Sequence, residues 1–226
     1  AKIVDIFSPT RFTAKVRDLG LRTGFAVDLS ENKPYGPHAG EAWDLSKPDD
    51  VKELFEMIAF ERPVIVIGSP SCTAFSQLQS SSWGEQHTEW EKQHATKSLH
   101  VAIDVYQEQI RAGRYFLHEH PVSDVSWTCL RVAALQKTKG VFTVTSSMCC
   151  FETKVKTKDG SGICNKCVYK PTKWMTNSRV LAQALDRRCW NSNGPPYHRH
   201  ILMNGGIAAM TSAYAPELVN TVLRAL

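Results

Sequence analysis

Residues 63–68 read PVIVIG, apolar throughout and followed directly by the loop residues Ser69-Pro70. A strand that is apolar at every position has to be covered on both faces, and sheets of that kind are mostly parallel, with a helix layer on each side. The flanking segments fit such a sheet. Residues 2–7 (KIVDIF) form a short strand pattern stopped by Ser8-Pro9, residues 11–19 have helical spacing ended by Gly20, and residues 24–29 form a second strand. Pro48-Asp49-Asp50 opens a helix that runs to Phe60, its acidic residues in the first turn where they oppose the helix dipole. Further on, 89–111 reads as a long helix, 115–118 as a strand, 125–136 as a helix and 141–145 as a strand. This alternation predicts an α/β fold with one mostly parallel, seven-stranded sheet and helices on both faces, formed by residues 1–226 as a single domain.

Residues 146–177 break the pattern. They are rich in Lys, Cys and Thr around Gly160 and Gly162, and are expected to form an insertion or hairpin rather than a second core. A helix over 178–188, a loop over 191–197 and a closing helix over 213–226 complete the chain. Apolar residues at 42% and charged residues at 22% exclude a disordered or collagen-like chain. No apolar run approaches the roughly 18 residues of a membrane span, and the first residues lack a secretory apolar core, so an intracellular protein without membrane contact is expected. Seven cysteines, an odd number without a tight framework, fit free thiols in a reducing compartment. A net charge of +5 permits a polyanionic partner without requiring one.

In a parallel sheet, ligands bind beyond the carboxyl ends of the strands. The polar residues there are Ser8-Pro9, Asp28, Asp44, 69–76 and 118–121. Within IGSPSCTAFS, Cys72 follows the buried strand in a Ser/Pro turn. Most free cysteines are small buried apolar residues, but these flanks describe a loop at the cleft rim. Within FLHEHP, Glu119 also ends a strand; such a carboxylate is commonly a cap or a surface charge. A thiol and a carboxyl group on one edge can serve one substrate as nucleophile and proton donor.

With these two segments the chain resembles the cytosine-C5 methyltransferases of the Rossmann-like, class I S-adenosylmethionine-dependent fold. That family carries Pro-Pro-Cys-Gln after a strand, and here Pro70-Ser71-Cys72-Thr73 is followed by Ala74-Phe75-Ser76, whose Phe and Ser also match. The family's Glu-Asn-Val is matched by Glu119-His120-Pro121, and its Asp-Leu-Phe-Ala-Gly by Asp5-Ile6-Phe7-Ser8-Pro9. The resemblance covers most of residues 1–145 and the last fifteen, in the family's order.

It implies methyl transfer to C5 of cytosine in DNA, through a covalent bond between Cys72 and C6, with Glu119 acting at N3. It implies S-adenosyl-L-methionine as cofactor, contacted by Asp5, Phe7, Ser8, Pro9, Ser69 and Pro70. Asp28, with Leu29 beside it, would meet the ribose, and Asp44 the adenine. Ser76, Lys173, Asn177 and Arg179 would contact the nucleic acid. The glycines of the family's cofactor loop are replaced by Ser8-Pro9-Thr10-Arg11. The same chemistry on RNA, a non-catalytic nucleic-acid-binding module and a cysteine hydrolase pairing Cys72 with His118 or His120 are the alternatives.

The cysteines raise a separate question. Cys164-Asn165-Lys166-Cys167 is a CxxC, and Cys149, Cys150, Cys189, His198 or His200 would complete four zinc ligands. Adjacent Cys149 and Cys150 fit one tetrahedral ion poorly and no second CxxC exists, so zinc is kept open and no metal ligand is assigned.

Overall fold

The computed structural model describes residues 2–8, 11–18, 20, 22–71, 85–159, 162–189, 198, 200–201, 211 and 214–226, with backbone alone for 85–88, 90, 156–159 and 162–166. The N-terminal part alternates β1 (Ile3–Ile6), α1 (Phe12–Asp18), β2 (Ala26–Val27), α2 (Pro48–Glu61), β3 (Ile65–Gly68), α3 (Glu85–Arg111) and β4 (Tyr115–Pro121). A 3-10 turn (Val125–Thr128) precedes α4 (Leu130–Gln136) and β5 (Phe142–Ser147). After a second 3-10 turn (Met148–Phe151) come β6 (Lys154–Asp159), β7 (Gly162–Val168), β8 (Pro171–Thr176), α5 (Arg179–Leu185), β9 (His200–Ile201) and α6 (Pro216–Arg224).

The main sheet has the order β2-β1-β3-β4-β8-β5. Its first four strands are parallel neighbours; β8 runs against both β4 and β5. The α/β expectation therefore holds, but among the described residues the sheet has six strands, not seven. Among the described residues no further strand extends it past β2. There the chain between β2 and α2 folds into a loop closed by a bridge between Asn32 and Ala42. Lys33, buried between Asp50 at 2.8 Å and Glu53 at 3.0 Å, ties that loop to α2.

The side-chain alternation of each strand sorts the core into two layers. Val4, Ile6, Val66, Phe116 and Met175 point to the side of α2, α3 and α4. Ile3, Ile65, Ile67, Leu117 and Trp174 point to the side of α1, α5 and α6. The expected insertion over 146–177 needs correction, because its last part is β8, an interior strand of the main sheet with Trp174 and Met175 fully buried. The excursion itself is a small sheet ordered β6-β7-β9, with Val155 and Val168 buried and Ile201 beside them. No described helix is long and apolar enough to cross a membrane.

Candidate functional site

Parallel pairing sets the ends of four strands in one row. Ile6 stands opposite Val27 and Gly68, and Gly68 opposite His118. The next residues therefore stand together on one edge: Phe7, Asp28 and Ser69 just past their strands, and Glu119 in the same row but still paired with Trp174 of β8. The helix after β1 packs on one face of the sheet and the helix after β3 on the other. The chain thus diverges between two adjacent strands, and this divergence opens a crevice at their carboxyl ends. Phe7, Ser8, Ser69 and Pro70 line that position.

Glu119 is 7% exposed, and its Oε1 is buried with no hydrogen-bond partner among the described residues. Its Oε2 accepts a 3.4 Å bond from the hydroxyl of Tyr214, which also bonds the Ser69 hydroxyl. Burial, reinforced by Glu119, holds the Tyr214 hydroxyl well above its ordinary pKa, so it stays protonated. Tyr214 donates to Glu119, which leaves Ser69 to donate to the Tyr214 oxygen. The ring is fixed by Phe12 at 5.5 Å and by the Arg11 guanidinium 4.9 Å above its centroid. Tyr214 and Arg11 are functional candidates that motif reading missed. The one signal for Tyr214 is Ala215-Pro216, which starts α6 and seats the tyrosine just outside it.

On the opposite face of β4, His120 braces the loop that leads to Cys72. Its Nε2 is 2.8 Å from the Pro70 carbonyl oxygen, and its Nδ1 is 2.6 Å from the Ser126 hydroxyl. A carbonyl only accepts, so Nε2 carries the hydrogen and, in the neutral ring, Nδ1 accepts from Ser126. Asp124 accepts from the Ser126 amide at 2.8 Å and completes the brace. His118 is fully buried, 3.2 Å through Nδ1 from the Tyr106 hydroxyl; burial, then His120, push its pKa well below the ordinary value and keep it neutral. Both nitrogens of His120 are engaged in holding the loop, which leaves the hydrolase alternative without a free base there.

Asp5 is fully buried. Its Oδ2 accepts from the Thr13 hydroxyl at 2.8 Å and from the Thr13 and Arg11 amides at 3.0 and 3.3 Å, while Oδ1 has no partner among the described residues. Burial outweighs those bonds and raises its carboxyl to about 6. Phe7 adopts φ 54, a left-handed conformation where the resembling family has a glycine-bearing loop. Asp28 receives both the amide and hydroxyl of Ser30 on Oδ1, at 3.1 and 2.7 Å. Asp44 is held in the same way by Ser46, at 3.1 and 2.6 Å, which with Lys47 keeps its pKa below the usual carboxylate range. Leu29 is 75% exposed beside Asp28.

Lys173 pairs in register with His120 and so lies near the same edge, its ammonium 4.5 Å above the Trp127 ring. Asn177 and Arg179 do not join it. Asn177 spans Phe116 N and Arg114 O at 3.0 and 2.9 Å, which places it at the amino end of β4, and Arg179 lies over Phe142 at the start of β5. β8 runs antiparallel, so residues past its end emerge on the edge away from Glu119; Asn177 and Arg179 are withdrawn as base-contacting residues. Cys72, Ser76 and Pro9 lie outside the described residues.

The cysteine and histidine candidates separate. Cys149, Cys189, His198 and His200 converge, with one ligand atom from each within 4.8 Å of all the others. Cys164 and Cys167 of the CxxC lie on β7; the described Cys167 side chain is not part of that group, and the Cys164 side chain lies outside the described residues. No protein-family model matches the chain, and no curated protein matches it.

Proposed function

We propose that this chain is a cytosine-C5 methyltransferase of the S-adenosylmethionine-dependent type, acting on DNA. The observation that carries the reading is Glu119: a buried carboxyl group with one oxygen unpartnered among the described residues, seated by Tyr214 in the row that also holds Ser69, three residues before Cys72. The crevice between β1 and β3 supports it, since open α/β sheets take their ligands at such a divergence.

The donor set fits the cofactor at its charged ends. Asp5 Oδ1 is a buried acceptor without a described partner, suited to an amino group, and the Asp28 carboxylate follows β2 as an acceptor for ribose hydroxyls. When bound, S-adenosylmethionine would supply an electrophilic methyl group. The chain's own residues would prepare the base. Addition of the Cys72 thiolate to C6, with Glu119 giving a proton to N3, makes C5 nucleophilic. After C5 gains the methyl group its hydrogen would leave as a proton to solvent, the C6–S bond would break to return the thiolate, and N3 would give its proton back to Glu119. The loop brace of His120 would fix Pro70, and through it the approach of Cys72. Lys173 would contribute a positive charge toward phosphate.

A second reading, a nucleic-acid-binding module without catalysis, is favoured by Phe7: a bulky residue at φ 54 stands where close backbone approach to a cofactor calls for glycine. Calorimetry separates the two. Binding of S-adenosylmethionine or its demethylated product, weakened by about tenfold in Asp28→Ala, supports the enzyme. No heat of binding with either compound supports the module.

A further inference from the structure

The geometry points to a closed zinc site formed by Cys149, Cys189, His198 and His200, which Cys167 does not join. These residues come from three separate stretches of chain: the 3-10 turn after β5, the segment after α5, and the strand β9 with its approach. Their meeting is not a consequence of sequence proximity. Cys189 Sγ lies 3.6 Å from His198 Nε2 and 3.6 Å from His200 Nε2. A tetrahedral ion with the usual Zn–S and Zn–N bond lengths sets its sulfur and nitrogen ligands about 3.6 Å apart and two nitrogens about 3.3 Å apart. The two Nε2 atoms are 2.8 Å apart and the rings stand at 84°, so both imidazoles aim the same nitrogen at one point from perpendicular planes.

The surrounding backbone holds that arrangement independently of any ion. Ser147 N donates to Arg187 O at 2.8 Å, and Cys189 N donates to the Ser147 hydroxyl at 3.1 Å, which fixes Cys189 beside the turn that carries Cys149. Ser146, buried below, accepts from Trp174 Nε1 at 2.8 Å and donates to the Leu185 carbonyl. His200 is set by pairing with Cys167 across β7 and β9. Cys149 is buried and the other three ligands are half-buried, as in a site that joins two packed units. Two thiols, two imidazoles and no open position select Zn²⁺ over harder cations and describe a structural site. On binding, each thiol releases its proton to solvent and each neutral imidazole gives a lone pair, so the filled site carries no net charge. The ion ties the small β6-β7-β9 sheet to the β5 end of the main sheet, on the same edge as Glu119.

The test uses the full 226-residue chain, purified under reductant. Elemental analysis is expected to give one zinc per chain. Cobalt in its place is expected to give the intense visible absorption of a tetrahedral ion together with a thiolate charge-transfer band. Cys189→Ser and His200→Ala should each weaken zinc binding by roughly tenfold or more, while Cys167→Ser and Cys150→Ser keep it. Because a substituted ligand can unfold the chain, the cobalt spectrum of the unsubstituted protein decides by itself. An octahedral cobalt spectrum, no zinc retained after reconstitution under reductant, or loss of the metal in Cys167→Ser would overturn the site.

Discussion

Asp5 is buried in the core of the sheet. Its carboxyl group takes three hydrogen bonds on one oxygen and none on the other among the described residues, and burial raises it to about 6 from 3.8. A folded-state value above the unfolded one means that the native protein holds this proton more tightly. The stability it contributes is therefore complete below about 3.8 and is lost as the pH rises through about 6. A shift of about two units corresponds to about 3 kcal/mol. Urea-unfolding midpoints should accordingly fall between roughly pH 4 and pH 6 more steeply in the parent than in Asp5→Asn, which has no carboxyl group to titrate. Equal slopes would mean that Asp5 is solvated or paired in solution. Under the proposed function, the second oxygen, which has no partner among the described residues, is the one that would receive a ligand.

Between elements, β3 and α3 meet where there is no side chain. A Cβ on Gly68 would lie 2.0 Å from the Tyr106 hydroxyl, the group that bonds His118. Glycine is required here for close approach, not for an unusual turn. Gly68→Ala should destabilise by about 1–3 kcal/mol through overpacking. Tyr106→Phe should recover part of that loss in the double variant, because it removes the clashing oxygen; additive midpoints would refute the coupling. The sequence shows β1, β3 and β4 because they are apolar runs flanked by loop residues, and α2 because its acidic first turn and proline mark its start. It hides β8: PTKWMT sends Thr172, Trp174 and Thr176 to one covered face and Lys173 and Met175 to the other, and the neighbouring lysines make an interior strand look like part of a solvated hairpin. The same failure displaced Asn177 and Arg179, since a strand of unrecognised direction puts its flanking residues on the wrong edge. The helix read over 125–136 breaks at Cys129, whose extended ψ of 132 separates a 3-10 turn from α4. Glu119 was legible from its place after an apolar run. Tyr214, contributed by a segment 95 residues away, was not, because only folding brings the two together.

Across the whole molecule, the candidate groups gather on one edge of one sheet. β1, β2, β3 and β4 all deliver their carboxyl ends there, so a cofactor between β1 and β3 and a base beside Glu119 would be neighbours without any domain movement. A cytosine in duplex DNA cannot reach that edge while stacked, and flipping it out costs about a few kcal/mol. An oligonucleotide with 5-fluorocytosine makes this arrangement testable. Fluorine at C5 cannot leave as a proton, so a chain whose Cys72 has added to C6 remains covalently attached after methyl transfer. Trapping should require S-adenosylmethionine and should disappear in Cys72→Ser, whose hydroxyl is far less nucleophilic near neutral pH. Glu119→Gln should slow it by a factor of about hundreds, the scale for losing a positioned acid. Cys129→Ser, which changes a half-buried thiol at the start of α4, should trap as the parent does. Running the same base in single-stranded DNA and in RNA identifies the substrate, since a preference for RNA moves the chemistry without moving the residues. Equal trapping of Cys72→Ser and the parent would remove Cys72 from the mechanism; cofactor binding with no adduct on any of the three substrates would remove cytosine.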